Sequence, residues 1–385
     1  MARTHPRWPT GPGHTESEVR VLVVNAGSSS LKVRVLDSDD DVLLSADLPP
    51  IEEGSGTDTI MDALSEVEAI DAVGHRIVHG GAHFPGSRLV DEDVVRVLTR
   101  LTDLAPLHQP PSLAALDAVS RALPGVPAVV CFDTAFHTSL PPAAATYAVP
   151  RPWRDELGVR RFGFHGLSHA YAARRAGEMV GKPSDGLRMV TCHLGAGASL
   201  AAIRDGVSID TTMGFTPLEG LVMATRSGSV DPGLLLWLQR HAGLSAEEIA
   251  DALEHHSGLR GLAGTSDMRA VLGAAEAEDA QALLAVEVYV HRLCASVAAM
   301  TASLDGLDVL VFTGGVGENA WLVRQEAANR LGFLGVRIDR ERNRSAVPDA
   351  DVGSTRGTVH CLVIKSREDL EIAREVRTLI GESAR

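Results

Sequence analysis

Apolar residues recur along this chain in two rhythms, one of strands and one of helices. Residues 19–24 are an apolar β-type run, 25–30 a Gly/Ser turn, and Leu31–Leu36 a second apolar run, which reads as strand, glycine turn, strand. A similar unit stands in mid-chain: 189–192 reads as a strand, 194–198 as a Gly/Ala turn, and 199–203 as a strand closing at Asp205-Gly206. Ala26-Gly27 and Ala196-Gly197 hold matching places, each followed shortly by Ser-Leu. This weak internal repeat points to a duplicated domain whose halves each open on a hairpin, its turn facing a phosphate; chance similarity of two glycine turns is the alternative. In a third unit, an apolar run at 309–312 enters the Gly-rich turn 313–319 and then a helical pattern through Leu331. A buried strand running into such a turn and a helix is a phosphate- or nucleotide-contacting arrangement. Residues 246–253 and Ala280–Leu304 carry apolar positions at helical spacing. Strands alternating with helices predict an α/β architecture. Prolines cluster at 106, 110, 111, 141, 142, 150 and 152, and 135–152 reads as a domain connector.

Length and charge narrow the picture. At 385 residues the chain exceeds one typical core, so two domains are expected. A formal net charge of −14 and an aromatic content of 4% argue against a nucleic-acid surface, which needs cations and stacking rings. Residues 1–18 are polar and rich in Pro and Gly, without the apolar run of a signal peptide, and read as a disordered extension. No stretch reads as a membrane span, so the expected location is cytoplasmic. Cys131, Cys192, Cys294 and Cys361 form no CxxC pair and read as free thiols of a reducing compartment. Lysine occurs only at 32, 182 and 365, so a lysine in a motif hints at a site that wants a compact ammonium.

The candidate chemistry lies in the turns. No GxxxxGK[ST] loop exists, because the one Gly-Lys pair, Gly181-Lys182, is followed by Pro183. Three separate glycine turns suggest instead a cleft built from two halves. Asn25 to Lys32 combines small residues, which let backbone N–H groups approach phosphate, with an ammonium and a hard-oxygen ligand for Mg²⁺. An ordinary hairpin with a solvated lysine fits the same residues. Arg76 and Arg226 stand among apolar or small neighbours and would surround a moving phosphoryl group or hold a carboxylate; buried structural ion pairs are the alternative. Asp133 follows an apolar run and suits Mg²⁺ handling or substrate orientation, or capping. His165 reads as a loop donor to a phosphoryl oxygen and His169 as a structural, helix-start hydrogen bonder, while His193 is open between the two. Asp267 and Arg269 would meet ribose or base, or else Ser266 and Asp267 cap a helix. Acids at a helix start, such as Glu368, usually cap.

Taken in order, Asn25 to Lys32, Gly74 to Gly81, the LAPLHQPP segment at 104–111, 132–137, 163–169, 193–197, the TPLEGLVMATRSGSVD segment at 216–231, 266–269 and 312–319 resemble the acetate kinase family over about residues 21–373. That resemblance implies a fold of two duplicated actin-like, ribonuclease H-like α/β domains flanking a nucleotide cleft. The implied division is 19–134 plus 370–385 for one domain and 135–369 for the other, which carries the nucleotide site. It implies reversible Mg²⁺-dependent phosphoryl transfer between ATP and acetate, giving ADP and acetyl phosphate by direct in-line transfer. Mn²⁺ is an alternative metal, and propionate or butyrate are alternative acceptors. A weakened regulatory nucleotide-binding protein on the same fold is a further alternative, and a sugar kinase fits poorly with an apolar pocket. Carried over by position, Asp133, Arg76, Arg226 and His165 are catalytic. Arg76, Val78, Leu107, Phe164 and Pro217 bind the acyl substrate, and Asn25 and Glu368 hold the metal. Lys32, His193, Leu194, Gly195, Ala196, Gly197, Asp267, Met268, Arg269, Gly315, Val316, Gly317, Glu318 and Asn319 bind nucleotide. A homodimer is the family expectation, with no nucleic-acid or membrane partner. Two departures stand out: Ala196 replaces the family's usual Asn in the His-Leu-Gly-x-Gly turn, and Lys365-Ser366-Arg367 replaces Pro-Thr-Asn.

Overall fold

The computed structural model describes residues 19–383, apart from 28–29, 68, 105–108 and 183–185, and in it the sequence repeat is a repeat of topology. The first sheet contains β1 (Val21–Ala26), β2 (Leu31–Leu36), β3 (Val42–Leu48), β4 (Ala72–Ile77), β5 (Arg88–Leu89) and β6 (Ala128–Phe132), in the order β3-β2-β1-β4-β6-β5. The second contains β7 (Arg188–Leu194), β8 (Ala198–Arg204), β9 (Val207–Thr211), β10 (Val309–Thr313), β11 (Ala350–Asp351) and β12 (His360–Val363), in the order β9-β8-β7-β10-β12-β11. In each, three antiparallel strands open the unit, two parallel strands follow, and a short antiparallel strand closes the edge. This is the duplicated α/β arrangement expected above.

The central strands read as unbroken apolar runs because both faces are covered. On β1, Leu22 and Val24 pack with Ala115 and Val119 of the helix Gln109–Ala122, while Val21 and Val23 pack with Ile372, Ala373 and Val376 of the helix Glu368–Ser383. On β10, Leu310 and Phe312 join the core of the helix Ala280–Leu304, and Val309 and Val311 join that of the helix Gly166–Met179. The helix Glu368–Ser383 therefore returns the chain to the first sheet. It also packs against Gly166–Met179, where Arg174 reaches Glu371 at 3.4 Å, so the two helices form the seam between the sheets. Gly74 of β4 is needed for this closeness, since a Cβ there would collide with Ile372 and Val376.

Three expectations are corrected. The turn at 313–319 is wound into a short helix, Gly314–Asn319, in which Asn319 Nδ2 donates to Gly315 O at 2.8 Å. The 135–152 connector contains a 3₁₀ turn and the short helix Pro142–Ala145 and runs into the helix Arg151–Asp155, both helices carrying proline in the first turn. The 25-residue helix Ala280–Leu304 is, against the hydropathy reading above, long and apolar enough to cross a membrane; it lies instead in the second core, burying Ala285, Tyr289, Leu293 and Val297. The four cysteines are free thiols, as expected.

Two groups of buried polar residues generate tests. Arg324 is 1% exposed. Its guanidinium donates to the carbonyls of Gly317 and Glu318 (both 2.8 Å) and to Asn343 Oδ1 and O (2.7 and 2.8 Å), tying the end of Gly314–Asn319 to the body of the second unit. Arg324→Met leaves those acceptors unpaired and should cost about 2–4 kcal/mol; urea unfolding checks this, and an unchanged midpoint contradicts it. His75 and His137 are each lowered to about 4 from 6.5 by burial. Because the folded pKa is depressed, their stabilisation is complete above pH 6.5 and is lost as pH falls from there toward 4. Each contributes a slope of up to about 1.4 kcal/mol per pH unit in that window. The urea midpoint at pH 5 should lie well below that at pH 7.5, and equal midpoints contradict the reading.

Candidate active site

The strand ends of the first sheet gather one cluster of charges. Asn25 lies near the end of β1, Arg76 on β4, and Asp133 directly after β6. Arg76 Nε donates to Asp133 Oδ1 at 3.1 Å and Nη2 to Oδ2 at 2.6 Å, while Nη1 donates to Asn25 Oδ1 at 3.1 Å. Glu368, first residue of the C-terminal helix, brings its carboxylate within 3.7 Å of Arg76 Nε. Burial pulls the Arg76 guanidinium down, but the facing Asp133 and Glu368 carboxylates more than reverse this, so its pKa rises. Burial likewise pushes the Asp133 carboxyl up, and the Arg76 fork opposes it. The ion-pair alternative is thus realised at Arg76, inside a site that also holds Asn25 and Glu368.

Asp133 links this cluster to the second unit, because its carbonyl accepts from Gly166 N at 2.8 Å at the start of the helix Gly166–Met179. His165 caps that helix start with φ 57°, a left-handed conformation unusual for a side chain larger than glycine. It turns the ring toward β7 and β8. His165 Nδ1 and Ser199 Oγ share a hydrogen bond of 3.0 Å, and the ring stacks on His193 at 4.3 Å. Burial first, then neighbouring His193 and Arg76, hold His165 well below its usual range. His193 is lowered to about 4 by burial and Arg76. Both rings are neutral at pH 7.

Arg226 approaches from the other side. A Cβ at Gly197 would come within 2.9 Å of Arg226 Nη2 and 3.1 Å of His165 Nε2, so glycine opens the space in which these two groups face one another. Arg226 Nη1 donates to Pro217 O at 2.7 Å, yet among the described residues Arg226 makes no ion pair. Burial lowers its pKa, offset in part by the more distant Glu254. A half-buried guanidinium without a counter-ion is the arrangement an anionic ligand completes.

A cavity of about 650 Å³ opens beside this centre. It is lined by Gly195, Ala196, Ser266, Asp267, Met268, Arg269, Gly315, Val316 and Asn319, all from the turns singled out in the sequence, together with Ala224, Leu259, Leu272, Tyr289 and Ala320. Its size suits a nucleoside. Asp267 also caps the helix Met268–Glu276 by accepting from Arg269 N at 2.9 Å, so the capping alternative holds alongside the cavity position. The other expected nucleotide residues line different ground. Lys32 shares a smaller cavity with Asn25, Arg34 and Glu368; Glu318 Oε1 accepts from Ser366 N at 2.8 Å; Leu194 is core; Gly317 is clasped by Arg324. Val78 and Phe164 are buried in the second unit's core, beside His79, whose ring meets Phe162 at 4.6 Å and Phe164 at 5.4 Å. Leu107 lies outside the described residues, as do Ser28, Ser29 and the 1–18 extension.

The sequence reading missed Ser199, Thr191, Ser168 and Tyr289. His169 stands in the first turn of the helix Gly166–Met179, as expected, but its ring bridges two strands, with Nδ1 bonded to Thr191 Oγ1 and Nε2 to Ser199 Oγ, both at 2.8 Å. No local signal marks such partners, since they meet only when β7, β8 and the helix pack.

For the metal, Asn25 Oδ1 and the Glu368 and Asp133 carboxylates offer hard oxygen donors around Arg76, and among the described residues no cluster of three or more His, Cys, Asp or Glu forms a metal cage. Few protein oxygens beside an open cavity suit Mg²⁺, which keeps water and takes substrate phosphate oxygens.

Residues 55–374 match the model of the acetokinase family. The acetate kinase of Carboxydothermus hydrogenoformans is 40% identical, the alignment covering 94% of this chain and 99% of that one. That of Microcystis aeruginosa is 44% identical over 94% of this chain and 93% of its own length. Among solved structures, the acetate kinase of Porphyromonas gingivalis superposes with a TM-score of 0.88 at 35% identity, covering 94% of this chain and 100% of that one. A propionate kinase of Francisella tularensis gives the same TM-score and identity over 94% and 99%. With the same ordered turns meeting in one cleft, this chain belongs to the acetokinase family.

Proposed function

We propose that this protein is an acetate kinase, transferring the γ-phosphoryl group of ATP to acetate and back, and that Arg226, without an ion pair among the described residues and facing His165 across Gly197, is the centre of that reaction. Acetate is already ionised at neutral pH. One carboxylate oxygen attacks phosphorus, the bond from phosphorus to the β,γ-bridging oxygen breaks in line, and ADP leaves as acetyl phosphate forms. No general base is needed, which agrees with a site whose Asp133 has both oxygens engaged by Arg76. Asp133 holds Arg76 in position rather than removing a proton. Arg226, Arg76 and neutral His165 offer positive charge and donors to the equatorial oxygens of the moving group.

Asn25 and Glu368 would hold Mg²⁺, or Mn²⁺, which when bound neutralises charge on the nucleotide phosphates. Lys32 adds charge from the first sheet. Gly195, Ala196, Asp267 to Arg269, Gly315, Val316 and Asn319 would hold the nucleoside, with His193, Leu194, Gly197, Gly317 and Glu318 supporting the turns; at Ala196 the backbone alone meets phosphate. Val78, Phe164, Leu107 and Pro217 would enclose the methyl group. Propionate is the second reading, supported by the equal likeness to a propionate kinase; one methylene in an apolar pocket is worth about 1–3 kcal/mol. We assign the protein to the cytoplasm as a homodimer, for which the exposed Leu234, Leu236 and Trp237 supply an apolar surface.

Hydroxamate formation in hydroxylamine trapping with ATP and acetate, propionate or butyrate should give the highest kcat/KM for acetate. No hydroxamate from any of the three overturns the kinase reading, and equal kcat/KM for acetate and butyrate overturns the acetate assignment. Arg226→Ala should lower kcat by about 10²–10³ with the urea midpoint unchanged, because no ion pair is broken. An unfolded variant contradicts the anion-site reading.

A further inference from the structure

A single hydrogen-bonded file runs from the core to the cleft: Thr191 Oγ1 to His169 Nδ1 (2.8 Å), His169 Nε2 to Ser199 Oγ (2.8 Å), and Ser199 Oγ to His165 Nδ1 (3.0 Å). Thr191, His169 and Ser199 are each 0% exposed. Burial holds both imidazoles neutral, so each carries one ring proton. Four protons, one from each residue, serve three hydrogen bonds, and one proton is left over.

Only three assignments keep all three bonds. If His169 is protonated at Nδ1, it donates to Thr191, Ser199 donates to His169, and His165 donates from Nδ1 to Ser199. The surplus proton is then the Thr191 hydroxyl's, deep in the core with no acceptor among the described residues. If both histidines donate to Ser199, the surplus proton is the Ser199 hydroxyl's, equally buried. In the third assignment Thr191 donates to His169 Nδ1, His169 Nε2–H donates to Ser199, and Ser199 donates to His165 Nδ1. The surplus proton then sits on His165 Nε2, which faces the cleft beside Gly197 and Arg226. A buried hydroxyl proton without an acceptor is costly, whereas an N–H at the cleft meets water or ligand.

We infer that Ser199, His169 and Thr191 are positioning residues that lock His165 as its Nε2–H tautomer and so present a hydrogen-bond donor, not an acceptor, to the oxygens of the transferring group. The same count holds for the adjacent ring: Ser168, 1% exposed, shares its hydrogen bond with His193 Nδ1 at 2.8 Å. With the serine donating, His193 also carries its proton on Nε2, beside the Gly195 turn. A single-tautomer neutral donor suits an anionic ligand already flanked by two guanidinium groups, because it adds a hydrogen bond without a further charge.

The donor role rests on the kinase reading, but the tautomer is measurable without turnover. Long-range ¹H–¹⁵N correlation of ¹⁵N-histidine-labelled protein at pH 7.5, assigned with His165→Gln and His169→Gln, should show Nδ1 of both rings unprotonated and Nε2 protonated. A protonated Nδ1 on His165 overturns the inference whether or not the protein is a kinase. Ser199→Ala should turn the His165 signals into a tautomer mixture and lower kcat roughly tenfold, with KM for ATP and acetate within about twofold. Ser199→Thr, which keeps the hydroxyl, should restore the single tautomer and most of kcat. A Ser199→Ala protein that is folded, single-tautomer and fully active overturns the positioning role. Absence of phosphoryl transfer in the wild type, with the tautomers as described, removes the kinase reading and leaves the proton file standing.

Discussion

Two guanidinium groups in one cleft, one answered and one not, are the constraint on which this structure turns. Arg76 is held by Asp133, Asn25 and Glu368, three groups brought from β6, β1 and the C-terminal helix. Arg226 has a carbonyl partner but, among the described residues, no carboxylate. Desolvating a cation is tolerable only if an anion arrives, so the fold stores a preference for an anionic ligand at that point. The seam of helices Glu368–Ser383 and Gly166–Met179 exists in the same place because each helix start delivers a residue to the cleft, Glu368 from one and His165 from the other.

The duplication explains how such a site arises without a phosphate-binding loop of the GxxxxGK[ST] type. Each six-stranded unit ends its central strands at the cleft. Charge and hydrogen-bond donors then converge from two frames, with the turn at Gly197 kept bare so that Arg226 and His165 can face each other. Chemistry that moves an already ionised nucleophile asks for positioning and for positive charge, and the side chains present supply both.

Much of this was legible in the chain. The run 19–24 and Leu31–Leu36 became β1 and β2, because a central strand buried on both faces must be apolar throughout. The matching run at 189–203 became β7 and β8 for the same reason, and eight of the fourteen residues expected to meet nucleotide line one cavity. What was not legible depends on distance in sequence. His169 has the spacing of a helix-start residue, yet its ring partners come from β7 and β8, 22 and 30 residues away. The membrane-like helix Ala280–Leu304 buries one apolar face in the second core, which hydropathy does not separate from a face turned to lipid. The ion-pair alternative was equal for both arginines in sequence, and only packing distinguished them.

The central claim is that Arg226 waits for an anion. Calorimetric titration of the folded protein with acetyl phosphate, wild type against Arg226→Ala, tests it most directly. The account predicts saturable binding that weakens at least about tenfold in the variant while ADP binding stays the same. Equal acetyl phosphate affinity in the two proteins would contradict it.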